Sequence, residues 1–142
     1  MTTMKAKYLG GLRVECEHVQ SGSRIITDAP TDNCGKGEAF SPTDLCATAW
    51  GACILTTMGI YAEQHGMDLT GAGMEIVKRM GTDPRRIVEI DIVVNMPACN
   101  FSEKEKKILE RVAHTCPVHF SLNEQMIKTV KFNWLKKIWW CL

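Results

Sequence analysis

Hydrophobic and polar residues alternate along several short stretches of the 142-residue chain, and this alternation predicts β-strands. The clearest stretches are 73–80 and 86–94, and the turn residues at 82–84 between them predict a hairpin. Segment 5–17 predicts two strand-like pieces, or one strand with a bulge at its paired glycines. Two further strands are predicted, at 23–28 and at 127–134.

A long apolar stretch predicts a helix over 42–64. Ser41 is its expected N-cap, Pro42 its first residue, and Gly66 follows its end. Residues 45–62 approach the length of a membrane span, but their threonines and glycines and the absence of a basic flank argue against one. A helix that is apolar on nearly every side is typical of a protein core. Its small residues would let a second backbone come close, either from its own domain or from another copy of the chain.

Two shorter helices are predicted in the second half of the chain. Residues 102–105 read Ser-Glu-Lys-Glu, a capping box that opens an amphipathic helix. Cys116 and Pro117 then provide the cap and first residue of a short helix. The order of elements predicts an α+β fold in a single domain over 1–142, with 135–142 as a packing element or a loose tail.

Composition narrows the class of protein. A hydrophobic share of 45% argues against disorder, and a net charge of +1 supplies no basic excess for nucleic acid. The chain does not open with a charged and then apolar leader, so we expect a reducing, cytoplasmic setting. The odd number of cysteines is then expected to form no structural disulfides. The seven are Cys16, Cys34, Cys46, Cys53, Cys99, Cys116 and Cys141.

Two of these cysteines are the candidates for chemistry. Cys53 lies in the middle of the long helix, where position alone predicts a buried structural thiol. Cys116 lies at a helix N-terminus, which stabilises a thiolate, although a capping cysteine can also simply pack. His114, Cys116 and His119 suggest a metal site, but a fourth ligand is missing and no metal is expected.

The two cysteines also carry a resemblance. FSPTDLCATAWGACILTTMGIYAEQHG, followed by AHTCPVHFSLN, resembles the OsmC/Ohr family of osmotically inducible and organic hydroperoxide resistance proteins. In that family a Pro-x-x-Leu opening leads a buried helix with the first cysteine, and a His-x-Cys-Pro-like element carries the second. Here these are Cys53 and Cys116, which are 63 positions apart. The similarity covers about residues 5–134, including the GKGEAFSP loop.

The resemblance implies a thiol peroxidase active in oxidative stress defence. Cys53 would attack the peroxide and become a sulfenic acid, and Cys116 would condense with it to a disulfide. The expected partners are a hydroperoxide and a dithiol reductant, without cofactor, nucleic acid or membrane. The implied fold is an intertwined homodimer in which antiparallel sheets pack around the long central helices.

In the family an arginine from the N-terminal strands activates the first cysteine and is held by a glutamate in the helix opening. The arginine corresponds to Arg13, with Arg24 as the alternative, but Thr43 stands at the glutamate position. Asp44 or Glu38 is a candidate replacement. The loss of the glutamate favours a slower enzyme, or alternatively a small-molecule-binding or redox-sensing dimer with little peroxidase activity.

Overall fold

The computed structural model describes residues 1–135, so all but the first residue of the predicted tail 135–142 lies outside the described residues. The described chain forms two compact units, residues 1–46 and the residues from 47 onward. The single-domain organisation stays a prediction.

The first unit is built on a three-stranded antiparallel sheet. Its strands are β1 (Met4–Gly10), β2 (Arg13–His18) and β3 (Arg24–Thr27), in that order across the sheet. The glycine pair therefore separates two strands, and the register shifts between Tyr8 and Gly10. After β3 the chain forms an irregular loop that contains one turn of 3-10 helix, Thr31–Asn33.

The long helix α1 (Pro42–Gln64) has the predicted bounds. Its N-terminus is capped reciprocally: the Asp44 N–H donates to Ser41 Oγ at 3.1 Å, and the Ser41 N–H donates to Asp44 Oδ2 at 2.9 Å. Gly66 follows the helix at φ +68°, a left-handed conformation that glycine adopts without strain.

One face of α1 is buried in the second unit. The buried residues recur every three or four positions, as one helix face requires: Ala47, Trp50, Gly51, Ile54, Met58 and Ala62. A Cβ at Gly51 would lie 2.7 Å from Ile76 Cδ1, so this glycine lets the helix approach the neighbouring strand closely. The small residues of α1 thus serve packing within its own chain on this face.

The other face of α1 is open to solvent and still largely apolar. Ala49, Ala52, Thr56 and Ile60 are exposed along it. By length and apolarity alone, α1 is the one helix in residues 1–135 that would suffice to cross a membrane, and a third of that segment is buried. A helix in a protein core can be equally long and apolar, and the buried face of α1 packs as the face of a core helix does.

The second unit contains a mixed sheet in the order β4 (Gly73–Gly81), β5 (Arg86–Met96) and β6 (Ile127–Trp134). The expected antiparallel pairing is confirmed for the β4–β5 hairpin and wrong for β5–β6, which is parallel. Between β5 and β6 the chain passes through α2 (Glu103–Ala113) and α3 (Pro117–Ser121). A connection of this length can carry the chain back to the end of the sheet where β5 begins, so that β6 runs parallel to β5.

The core of the second unit lies between this sheet and its helices. Alternate residues of β5 are buried, as period-2 patterning predicts, and they pack with Leu109, Ala113 and Cys116. The predicted capping box of α2 is present, with Ser102 Oγ accepting from the Glu105 N–H. The predicted α+β class is confirmed. Cys116 packs in one buried cluster with residues of β5 and α1.

Candidate active site

Two elements of the second unit bring Cys53 and Cys116 together. Cys53 lies at the start of the fourth turn of α1, and Cys116 is the N-cap of α3. Cys116 is fully buried, with 0% exposure, and Cys53 packs against the same core cluster while remaining half-buried. Position in the helix predicted a buried Cys53, but the structure leaves part of it accessible. Both side chains are free thiols.

Burial raises the pKa of the Cys116 thiol, and interaction with the neighbouring Cys53 thiol raises it further. Backbone N–H groups at the start of α3 act in the opposite direction, with the His119 N–H donating to Cys116 Sγ at 3.3 Å. Because the net pKa of Cys116 is raised, the helix terminus does not make this thiol more acidic than an ordinary cysteine. Cys116 is therefore held as a protonated thiol beside Cys53.

Two aromatic rings adjoin the sulfur pair, and sequence reasoning did not identify them as site residues. Trp50 precedes Cys53 by three positions and His119 follows Cys116 by three, with the ring centroids 6.0 Å apart. Trp50 is 1% exposed. The spacing of three positions could have indicated both rings, because residues three apart are neighbours on a helix surface.

Arg13, the predicted activating cation, lies in the first unit on β2. Its Nη1 donates to Glu38 Oε2 at 3.3 Å, and its side chain is 36% exposed. Its Nε is buried and has no hydrogen-bond partner among residues 1–135. Glu38 is itself fixed, since its N–H donates to the buried Asp28 carboxylate at 3.1 Å. Glu38, one of the two candidate replacements for the family glutamate, therefore pairs with Arg13.

The remaining candidates for the activating pair have other partners. Arg24 contacts Glu15 and Glu17, each at 3.4 Å, and its side chain is 57% exposed. Asp44 accepts from the Ser41 backbone in the helix cap, and the Thr43 and Ser41 hydroxyls are hydrogen-bonded at 3.1 Å. Thr43 thus takes part in capping α1.

The structure also places the residues of the alternative metal site. The rings of His114 and His119 meet edge to face with centroids 6.1 Å apart. Within the part of the chain that the structure describes, no three His, Cys, Asp or Glu side chains are grouped as metal ligands. His119 instead lies against Trp50 and Phe120.

Comparison with known proteins identifies the family. The family model for OsmC-like protein matches residues 35–130, a segment that includes both Cys53 and Cys116. The chain belongs to the OsmC family. The comparison with curated proteins gives no significant match.

Solved structures of OsmC/Ohr proteins match nearly the whole chain. A Psychrobacter arcticus 273-4 protein, whose name refers to osmotic stress induction and a detoxification response, is 44% identical over 94% of this chain and 96% of its own, with a TM-score of 0.90. An OsmC-like protein from Mycoplasma pneumoniae is 20% identical over 93% and 95%, with a TM-score of 0.77. The organic hydroperoxide resistance protein OhrB of Bacillus subtilis is 15% identical over 94% and 98%, with a TM-score of 0.67. The last two show the shared fold.

Proposed function

We propose that this OsmC family protein is a thiol-dependent reductase of organic or hydrogen peroxides that uses Cys53 and Cys116. The observation that carries the proposal is that a half-buried and a fully buried free thiol pack in one apolar core cluster. Structural neighbours named for organic hydroperoxide resistance, from Legionella pneumophila and Bacillus subtilis, support the substrate class. We place the activity in the cytoplasm, where thiols are kept reduced.

The burial of the two cysteines assigns their roles. Cys53 is the accessible thiol, so it is the one that meets the peroxide. Cys116 has no exposed surface and a raised pKa, so it keeps its proton until a neighbouring sulfur reacts. An apolar setting suits a substrate with a hydrocarbon tail.

The proposed cycle requires only the peroxide, the two cysteines and an external dithiol. The Cys53 thiolate attacks the terminal peroxide oxygen, the O–O bond breaks, and the alkoxide takes a proton to leave as an alcohol, with Cys53 oxidised to a sulfenic acid. The Cys116 sulfur then attacks the Cys53 sulfur, so that an S–S bond forms and water leaves. An external dithiol reduces this disulfide and is itself oxidised.

Ionisation of Cys53 needs a cation, because a free thiol is mostly protonated at neutral pH. Arg13 is the proposed source, since a guanidinium keeps its charge in an apolar site. Its pairing with Glu38 supports an activating pair whose acid lies outside the helix opening. The buried Nε–H leaves a donor for another partner.

One observation favours the alternative, an OsmC-like binding or redox-sensing homodimer with little peroxidase activity. Thr43 occupies the glutamate position and is engaged in the helix cap, and the replacement Glu38 side chain is 56% exposed. An acid this exposed holds its arginine through a weak, screened ion pair. Under this alternative, the weakly held Arg13 activates Cys53 little, so Cys53 would react slowly with peroxides.

The deciding experiment measures hydroperoxide consumption in the presence of a dithiol such as dihydrolipoamide. The wild type is expected to turn over and Cys53→Ser to be inactive. Cys99→Ser, which removes another half-buried thiol, is the matched control and is expected to retain full activity. A wild-type rate no faster than that of Cys53→Ser would overturn the peroxidase and leave the alternative.

The exposed apolar face of α1 supports a homodimer as the active form. A helix with one face in its own core and an apolar face in solvent is stabilised when a twofold-related copy covers the second face. We place the dimer contact on this face, at Ala49, Ala52 and Ile60.

A further inference from the structure

Two buried polar atoms beside the cysteine pair lack a hydrogen-bond partner in the described part of the chain. They are Trp50 Nε1 and His119 Nδ1. Their rings face each other with centroids 6.0 Å apart and an interplanar angle of 37°, without bonding to one another. Buried polar groups are nearly always paired, and each unpaired one costs free energy. These two atoms therefore point to a polar group that binds between or beside the rings.

Each ring is tied to one of the two sulfurs. Trp50 lies one helical turn before Cys53, so their side chains are neighbours on the surface of α1. The His119 backbone donates to Cys116 Sγ at 3.3 Å, which fixes His119 next to the second thiol. A ligand that contacts both rings consequently lies next to the sulfur pair.

The two atoms have complementary hydrogen-bonding capacity. An indole N–H can only donate. Burial lowers the pKa of His119, and the positive charge of Lys128 and the neighbouring His114 lower it further, so its ring is neutral at neutral pH. In the tautomer that carries its proton on Nε2, His119 Nδ1 accepts a hydrogen bond.

We propose that Trp50 Nε1 and His119 Nδ1 bind the hydroperoxyl group of the substrate and present it to Cys53. The terminal O–H donates to His119 Nδ1, and the oxygen bonded to carbon accepts from the Trp50 N–H. This assignment rests on the proposed peroxidase function and adds to it a pair of substrate-binding groups. It also defines specificity, because a dialkyl peroxide has no O–H to donate to His119.

The Trp50 contact bears on the reaction as well as on binding. When the Cys53 sulfur bonds to the terminal oxygen, the O–O bond breaks and negative charge collects on the oxygen bonded to carbon. In the proposed binding mode the buried Trp50 N–H donates to that oxygen and stabilises this charge. Trp50 is thereby a catalytic residue, and its effect is expected in kcat/KM.

Binding is tested without turnover in Cys53→Ser, which cannot react through that sulfur. With 15N-labelled tryptophan, the Trp50 indole resonance is assigned by its loss in Trp50→Phe. Cumene hydroperoxide is expected to shift this resonance downfield, and cumene, which lacks the hydroperoxyl group, is expected not to. An identical response to both compounds would overturn the proposal.

Kinetics provide the second readout. Trp50→Phe keeps an aromatic side chain but removes the N–H donor. It should lower kcat/KM for cumene hydroperoxide about tenfold, which corresponds to the free energy of one buried hydrogen bond. Its reaction with iodomethane, which needs no hydrogen bond, should be unchanged. Trp134→Phe is the matched control, because the Trp134 N–H already donates to Glu110 at 2.9 Å.

The histidine is tested by a conservative pair. His119→Asn retains an acceptor near the Nδ1 position and should keep most of the activity, whereas His119→Phe should lose it. Both keep the backbone N–H that contacts Cys116. Equal losses in the two variants would contradict an acceptor role for His119.

The outcomes separate this inference from the function on which it rests. A hydroperoxide-specific shift of Trp50 in Cys53→Ser, together with no turnover in the wild type, would support the binding pair and overturn the peroxidase. Normal turnover without that shift, and with Trp50→Phe fully active, would overturn the binding pair and keep the peroxidase.

Discussion

Cys53 packs against the core cluster that contains Cys116, and interaction with the Cys53 thiol raises the pKa of Cys116 in addition to the effect of burial. The sulfur at the helix N-terminus therefore has a higher pKa than an ordinary cysteine, although its position at a helix N-terminus alone favours the thiolate. At neutral pH the Cys116 thiol therefore keeps its proton.

The first prediction concerns the titration of Cys116. A raised pKa means that this thiol holds its proton to higher pH than an ordinary cysteine. Cys53→Ser removes the charge of Cys53 but not the burial, so the pKa of Cys116 should fall and still remain above its usual value. The chemical shift of the Cys116 Cβ carbon as a function of pH measures this. A pKa unaffected by Cys53→Ser would show that the two thiols are uncoupled.

A second prediction concerns activation of Cys53. Arg13→Ala should raise the pH midpoint of Cys53 alkylation and slow peroxide reduction about tenfold, because it removes the proposed activating cation. Glu38→Gln, which removes the partner of Arg13, should have a smaller effect in the same direction.

Arg24→Ala is the control for this prediction, because Arg24 contacts only Glu15 and Glu17 among the ion pairs found in residues 1–135. It should leave the alkylation midpoint unchanged. A shift in Arg24→Ala and none in Arg13→Ala would transfer the activating role to Arg24. No shift in either would leave Cys53 without its proposed activator.

The loop that carries Glu38 should depend on Gly35. A Cβ at Gly35 would overlap the backbone of Ala29, which cannot move aside as a flexible side chain can. Gly35→Ala should therefore lower the free energy of unfolding by about 1–3 kcal/mol. Gly73→Ala is the control, because nothing lies within 4 Å of its added Cβ. Urea denaturation of both variants measures the difference, and equal stabilities would refute the close approach at Gly35.

The dimer face gives a fourth prediction. Ile60 on the open face of α1 is 54% exposed, and Ile60→Glu should dissociate the dimer by placing a charge in its interface. Ile127→Glu changes a similarly exposed residue of β6 and should leave the dimer intact. Light scattering at micromolar concentration measures both. A monomeric wild type would remove the proposed interface altogether.

Local signals predicted most of the fold. The bounds of α1, the capping box at Ser102 and the final strand follow from periodicity and caps, which act over a few residues. The parallel pairing of β6 with β5 was missed, because it depends on how a long crossover through two helices returns to the sheet.

The candidate site was predictable in part. The resemblance named Cys53, Cys116 and Arg13, and the structure packs the two cysteines in one core cluster, while their roles and that of Arg13 stay predictions. Their difference in burial was not predictable, since it depends on packing between α1, α3 and the sheet. Nor was the Arg13–Glu38 pair, which joins residues 25 positions apart through a loop.

The most direct test of the two-cysteine account is mass spectrometry after one equivalent of cumene hydroperoxide. The wild type is expected to lose two hydrogens, with the Cys53 and Cys116 peptides joined by a disulfide. Cys116→Ser is expected to stop at a sulfenic acid on Cys53, which dimedone traps. A disulfide or sulfenic acid formed first at any other cysteine, with Cys53 unmodified, would contradict the account.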